Sequence, residues 1–379
     1  MFRFRASIVG LIMALGSSAQ IPICTIQGSG TASTYDGQTI TTTGIVTAVF
    51  SGTGTVQGLF IEEPNCDVSS GTSNGIFIYY PNSTGISIGD RVNVSGTVAE
   101  YQGATEINSV SSVSVVGSGT VPGTDVTLPV PSSGIWEQYE GMLLHFPQNL
   151  VVTNNESWVQ YGELVLASER IRHSTQFIDP NDADPNGTST TGASNAAAVN
   201  ASTSADALKT ILLDDGRTSS YPSPTPYADL NGTLRCGSTF NGLLAVLHYA
   251  YGDYRLHPQG ATTRVPDARG GPPAPTGDLR VASMNVLNYF STLNTSGATN
   301  AAEQLRQRTK LVAAMEAMDA DALVLCEVEN NDIAWVQLLD ALNAAVGAGT
   351  YVGLAHPLGS AFTQSAIFYK PTVLSPVGG

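Results

Sequence analysis

Leu279–Thr292 reads LRVASMNVLNYFST. Its first half has the look of a strand, and an amide at Asn285 interrupts the apolar run. Residues 301–318, AAEQLRQRTKLVAAMEAM, are strong helix formers that set Leu305, Val312 and Met315 on one face. Asp321–Glu329, DALVLCEVE, is a continuous apolar run closed by acids, the pattern of a strand buried on both faces. Strand, helix and strand in this order predict a βαβ unit with parallel strands and a right-handed crossover. Both strands of such a unit finish at one edge of the sheet, where α/β proteins bind their ligands. The expectation is that Asn285 ends the first strand and Glu327 the second, so that an amide and a carboxylate converge. That pair suits a hard cation such as Mg²⁺, which takes one or two carboxylates and completes its shell with water and phosphate oxygen. A polar residue closing a strand is also, more simply, a solvated terminus.

Upstream, PDARGGPPAPTGD (266–278) reads as a Pro/Gly linker. EGMLLHF, GELVLAS, TILLDDG and GLLAVLHYAYGDYRLHP before it are strands of a β-rich middle domain over 127–265, interrupted by the low-complexity stretch 179–207. Asp179, Asp182 and Asp184 there lack the spacing of a calcium loop and read as a solvated acidic loop. Over 20–126, TITTTGIVTAVF, GLFIEEP, GIFIYYP and RVNVSGTVAEY are short β-branched or aromatic runs, spaced as in an OB-like barrel. Tyr79, Tyr80 and Tyr101 can act there as stacking rings or as packing on a strand face, and the lack of flanking Lys or Arg favours packing.

The 379 residues allow two or three domains, and 42% hydrophobic content is enough to give each a core. Thirty-one acidic against 16 basic residues leave a net charge of −15, which repels polyanions. Binding of nucleic acid through a broad basic face is therefore not favoured, and phosphate chemistry needs a divalent cation. The N-terminus has two early arginines, an apolar stretch from Ala6 to Leu15 and small residues at Ser17-Ser18-Ala19. This predicts a signal peptide over 1–19 and an exported chain, with no segment long enough to span a membrane. Cys24 and Cys66, both in the first β domain, are the expected disulfide. Cys326, within an apolar run, is expected to be a buried free thiol, and Cys236 is unassigned.

LRVASMNVLNYF, EQLRQRTKLVAAMEAMDADALVLCEVENN and SAIFYKPTVLSPVG together resemble the opening of the endonuclease/exonuclease/phosphatase domain, the DNase-I-like superfamily. More narrowly, the chain resembles bacterial extracellular endonucleases of the ExeM/NucH type. IQGSGTASTYDGQTITTTGIVTAVF and the segments around ISIGDRVNVSGTVAEYQGATEI are similar to that family's OB-like N-terminal domain. WEQYEGMLLHFPQNLVVTNN, ILLDDGR and YGDYRLHP are similar to its middle region, so the likeness is co-linear from Ile26 to the last residue.

The resemblance implies a multidomain chain: an all-β OB-like barrel, a β-rich middle domain and, over 279–379, the first part of an α/β four-layer sandwich. It implies a secreted, monomeric endonuclease that hydrolyses phosphodiester bonds of extracellular DNA, and RNA as a further substrate, with Mg²⁺ or Mn²⁺ and with Ca²⁺ as another candidate. In that reading Glu327 is a metal ligand and Asn285 the partner that orients metal, water or phosphate oxygen, with Glu329 as a second candidate ligand. Arg306 and Arg308 belong to the helix as packing or salt-bridge residues.

The superfamily completes its site with Asp-x-Asn and Ser-Asp-His segments near the end of its catalytic domain, which residues 279–379 do not contain, and Ala361 stands where relatives often carry an acid. His145, His173, His248 and His257 precede the domain, and His356 reads as a structural loop residue. The chain is accordingly expected to be a fragment that is inactive alone. Two other readings stand beside this one: a phosphoesterase of the same fold acting on phospholipid or small phosphoesters, and a non-catalytic binder of nucleic acid or surface polymer.

Overall fold

The computed structural model describes residues 19–64, 66, 71–180, 195–229, 232–260, 262–268, 270–271, 276–354 and 359–377. Residues 1–18 of the expected signal peptide, Asp182, Asp184 and His356 lie outside them. The chain divides into two compact units, Met1–Arg269 and Gly270–Gly379, and the division falls within the Pro/Gly-rich stretch 266–278. Both are sheet-based, and among the described residues helices are few. No helix there is long and apolar enough to cross a membrane.

Unit 1 begins with α1 (Ile23–Gln27), followed by β1 (Thr39–Phe50), β2 (Gly58–Glu62), β3 (Gly75–Tyr79), β4 (Asp90–Tyr101) and β5 (Ala104–Ser118). These five strands form a closed barrel in the order β1-β2-β3-β5-β4, with β1 antiparallel to β4 and β3 parallel to β5. GLFIE and GIFIY, the sequences of β2 and β3, show no polar–apolar alternation because both of their faces are covered. Leu59, Ile61, Ile76 and Ile78 fill the barrel with Ile23 and Ile26 of α1. Phe60 and Phe77 face outward and pack on Leu143 and Val246 of a second sheet.

That sheet is built from β6 (Thr124–Asp125), β7 (Leu143–Phe146), β8 (Leu150–Asn154), β9 (Leu164–Ala167), β10 (Thr210–Leu213), β11 (Thr239–Asn241), β12 (Leu243–Ala250), β13 (Asp253–Pro258) and β14 (Thr263–Val265). Its order is β14-β11-β8-β9-β10-β13-β12-β7-β6. Two helices, α2 (Trp158–Tyr161) and α3 (Ala196–Ala207), punctuate it. Its core gathers Trp136, Phe146, Trp158, Leu166, Phe240 and Leu256. Barrel and sheet meet backbone to backbone at Gly75 and Gly141. A Cβ on Gly75 would lie 2.3 Å from the Gly141 carbonyl, so no larger residue fits.

Cys24 of α1 and Cys66, just past β2, form the expected disulfide, which holds α1 on the barrel. Its sequence separation of 42 residues places the entropic stabilisation at about 4 kcal/mol. The Cys24→Ala/Cys66→Ala protein is expected to unfold at lower urea by that amount, read by circular dichroism. Equal midpoints in the two proteins would refute it. Cys326 is a half-buried free thiol rather than the buried one expected, and Cys236 is also free, with its Sγ 3.6 Å from Asn155 Oδ1.

Unit 2 contains β15 (Val281–Tyr289), α4 (Ala301–Met318), β16 (Ala322–Glu329), α5 (Asp332–Val346), β17 (Val352–Leu354) and β18 (Thr363–Tyr369). The sheet order is β15-β16-β18-β17, with β15 parallel to β16, so the expected strand–helix–strand unit is present. Asn300 caps α4 by accepting from Glu303 N, and Asn331 caps α5 by accepting from Ile333 N and Ala334 N. Met315 of α4 and Leu338 and Leu342 of α5 pack on Leu323, Leu325 and Val328 of β16.

Two expectations need correction. Leu305 is 53% exposed, because α4 turns Met315, and partly Leu311 and Val312, toward the sheet instead. The apolar run of β16 is buried on one face only: Val324 and Cys326 are half-buried, and Val281 on neighbouring β15 is 68% exposed. Both helices pack with the buried face.

Candidate functional site

Asn285 and Glu327 were expected at strand ends, and the structure places both inside strands, at bulges. Register runs evenly from Val281 opposite Ala322 to Asn285 opposite Cys326, then resumes at Tyr289 opposite Val328. β15 therefore spends four residues where β16 spends two, and the excess loops out at Leu287 and Asn288, which have φ of 55° and 50°. β16 shifts against β18 between Leu325 and Val328, and Glu327 there has φ 62°. Left-handed backbone at three non-glycine residues carries a conformational cost and concentrates where function demands a geometry. A bulge re-aims a side chain that plain alternation would send elsewhere.

The two side chains meet. Asn285 Nδ2 donates to Glu327 Oε1 at 2.7 Å, and Asn285 Oδ1 accepts from Leu287 N at 2.7 Å. The second bond removes the ambiguity of the amide: with its oxygen committed to Leu287, its NH₂ faces the carboxylate. Glu327 Oε2 also accepts from Asn288 N at 3.2 Å, so both carboxylate oxygens are oriented by the bulge of β15. α4 secures that bulge. Gln307 Nε2 donates to the carbonyls of Val286 and Leu287 at 2.9 and 2.8 Å, and Gln304 Nε2 donates to that of Phe290 at 2.6 Å.

Glu329 lies two residues on and does a different task. Its Oε2 accepts from Ser291 N, Ser291 Oγ and Thr292 N at 2.7, 2.6 and 3.0 Å. Partial burial would raise its pKa, but the Ser291 and Thr292 donors outweigh this and hold it down at about 2. Asn331 Nδ2 donates to the same Ser291 hydroxyl at 2.9 Å. Glu329 is thus an anchor for the chain leaving β15 that stays charged well below the usual carboxylate range.

Gln304, Gln307, Ser291 and Asn331 are site-building residues that the sequence reading passed over. The signal was available: two glutamines three apart on a helix that must cross β15 can share one face and reach its carbonyls. Arg306, expected to be structural, is a surface partner of Glu303 at 3.9 Å.

Electrostatically, the rim holds two carboxylates and, among the described residues, neither pairs with a lysine or arginine. No three His, Cys, Asp or Glu side chains among those residues gather closely enough to hold a metal by themselves. A site with one or two carboxylates and no further protein ligand suits Mg²⁺ or Mn²⁺ completed by water and phosphate oxygen, and not a cation that needs a full protein cage.

No protein-family model matches the chain, and no curated protein matches it. Seven solved chains do. One of them, the structure of the hypothetical protein ygiW from E. coli, is 15% identical, covers 21% of this chain and 77% of its own, and superposes with a TM-score of 0.17. At that score it carries no argument about fold or function.

Proposed function

We propose that unit 2 is part of an endonuclease/exonuclease/phosphatase domain and that the protein is a secreted, divalent-metal-dependent endonuclease acting on the phosphodiester bonds of extracellular nucleic acid. The barrel of unit 1 is then the OB-like N-terminal domain, and residues 279–379 contribute the opening of an α/β four-layer sandwich. One observation carries the reading: Asn285 and Glu327 are hydrogen-bonded at facing bulges of parallel strands, and no cation of the described protein neutralises the carboxylate. The co-linear resemblance of LRVASMNVLNYF and ALVLCEVENN to that superfamily supports it.

Glu327 would hold the cation through a carboxylate oxygen, and Asn285 and the Asn288 N–H would fix the direction of that carboxylate. A bound divalent cation there supplies charge neutralisation for the phosphate and activation of the attacking water. Glu329 keeps Ser291 and Thr292 in place beside it. Among its described residues unit 2 has no histidine, so no residue of this chain is assigned the transfer of the water's proton.

Binding tests the proposal independently of turnover. Titration calorimetry is expected to show one Mn²⁺ site. A duplex oligonucleotide is expected to be retained in Mg²⁺ and released by EDTA, whereas phosphatidylcholine vesicles are not retained. Vesicle binding without duplex binding would transfer the site to a lipid phosphoesterase. Absence of any Mn²⁺ site would end the metal-dependent reading.

A further inference from the structure

Unit 1 contains a cavity of about 310 Å³ that the nuclease reading does not use. It is small but within the range of ligand pockets. It opens between two hairpin tips. The β4–β5 hairpin turns at Gln102-Gly103, with φ of 53° and 92°, and the β12–β13 hairpin at Tyr251-Gly252, with φ of 56° and 88°. Positive φ at both central residues is the pattern of a type I′ turn, whose first position favours Asn, Asp or Gly. Gln102 and Tyr251 occupy it instead, and both line the cavity. The tips pack closely: a Cβ on Gly103 would come within 2.8 Å of the Tyr249 ring.

Tyr79, Tyr101 and Tyr251 line the cavity and are 44%, 59% and 69% exposed. Of the three tyrosines singled out in the sequence, Tyr80 packs on the barrel core as favoured, whereas Tyr79 and Tyr101 expose their rings. Two buried polar side chains lie deeper. Glu106 is 7% exposed, and burial raises its pKa, which favours the neutral form. Its Oε1 accepts from Asn108 Nδ2 at 3.3 Å. His248 is 8% exposed, and its tautomer follows from a chain of bonds. His257 Nδ1 lies 3.2 Å from the Asp214 backbone oxygen, which can only accept, so that nitrogen carries the hydrogen. Burial lowers the pKa of both histidines, so His257 is neutral and its Nε2 is an acceptor. His248 Nδ1, 3.2 Å from it, must donate. His248 Nε2 is then an acceptor on a side chain that lines the cavity.

The geometry points to a binding site for a neutral saccharide, with a tyrosine ring against the apolar face of a pyranose and hydroxyls donating to His248 Nε2 and pairing with Glu106. Each alternative leaves something unmatched. An apolar ligand would strand the His248 acceptor and the Glu106 carboxyl, which is costly in a buried setting. A nucleotide brings phosphate to a cavity lined by no lysine or arginine, in a chain of net charge −15. A quaternary ammonium has no donor for His248, and the Arg255 guanidinium already sits 5.1 Å from the centre of the Tyr251 ring. A sugar satisfies all three features at once: stacking faces, a donor for an acceptor, and no net charge.

The test uses the whole chain and five probes: maltotriose, cellotriose, chitotriose, the oligonucleotide dT₆ and choline. Saturation-transfer difference NMR is expected to show contact with at least one trisaccharide. Its affinity by titration is expected to fall about tenfold in Tyr101→Ala and stay within about twofold in Tyr101→Phe, as loss of one stacking ring predicts. Tyr101 is exposed, so both variants are expected to unfold at the wild-type urea concentration, which isolates the ring. Three outcomes overturn the proposal: no trisaccharide binds, a bound trisaccharide ignores Tyr101→Ala, or only dT₆ or choline binds and is lost in that variant.

Discussion

Glu327→Gln is expected to weaken Mn²⁺ binding by at least about 100-fold and to remove Mg²⁺-dependent retention of duplex DNA, with unit 2 still folded. The substitution keeps the shape of the side chain and its acceptor oxygen, so one of the bonds from Asn285 Nδ2 and Asn288 N survives. What disappears is the negative charge, and a hard cation held by one or two carboxylates depends on it. Asn285→Ala acts differently. It leaves the charge and removes the orienting donor, as well as the acceptor that closes the bulge at Leu287 N. Loss of such an orienting partner weakens metal binding by about 10- to 100-fold, so Asn285→Ala should lie between wild type and Glu327→Gln. Calorimetry on the three proteins, with circular dichroism to check folding, reads this order. Equal Mn²⁺ affinity in wild type and Glu327→Gln would remove Glu327 from the site.

The two residues were legible in the sequence because strand-forming runs are interrupted at them, but the manner of their meeting was not. Positive φ is written in sequence chiefly by glycine and asparagine, and of Leu287, Asn288 and Glu327 only Asn288 gives that signal. The bulges come from tertiary contacts, notably Gln307 on the carbonyls of Val286 and Leu287. A reading by alternation alone therefore ends both strands too early, at the point where register shifts. The same limit explains β2 and β3. GLFIE and GIFIY announce burial, yet nothing local distinguishes a barrel interior from a second sheet lying on the outer face, and both are needed to bury Leu59 and Phe60 together. Tyr101 shows the converse. A strand-end aromatic without basic neighbours was read as packing, and its exposure depends on how two distant hairpin tips come together, which spacing does not encode.

Unit 1 should lose stability as pH rises from about 6.5 to about 8, the reverse of what salt-bridged acids produce. Glu62 and Glu140 join barrel to sheet from buried positions, 3% and 2% exposed. Glu62 Oε2 accepts from Leu143 N at 2.8 Å, and Glu140 Oε1 accepts from Thr105 N at 2.9 Å. Burial outweighs these bonds and pushes Glu62 from 4.5 up to about 7. Burial, with Glu137 and Glu100 nearby, pushes Glu140 from 4.5 up to about 8. For these two carboxyls the folded protein binds more protons than the unfolded chain, so their stabilisation is full below about 4.5 and falls as pH climbs through each folded value. His248 and His257, whose pKa burial lowers, oppose this below about 6.5, which confines the net loss to higher pH. At 1.36 kcal/mol per unit the losses are at most roughly 3 kcal/mol for Glu62 and 5 for Glu140. Glu329 in unit 2 has the opposite sign: held at about 2, it stabilises above about 4.5, and that contribution is lost as pH falls toward 2. Urea unfolding in a Trp335→Phe background, where Trp136 and Trp158 of unit 1 report with the third tryptophan removed, should give a lower midpoint at pH 8.5 than at pH 6.5, where the histidines contribute little. Glu140→Gln retains an acceptor for Thr105 N and cannot ionise, so the gap between the two midpoints should narrow by more than half. A wild-type midpoint that rises with pH, or a gap unchanged by Glu140→Gln, would show that buried carboxyls do not govern how this barrel is held to its sheet.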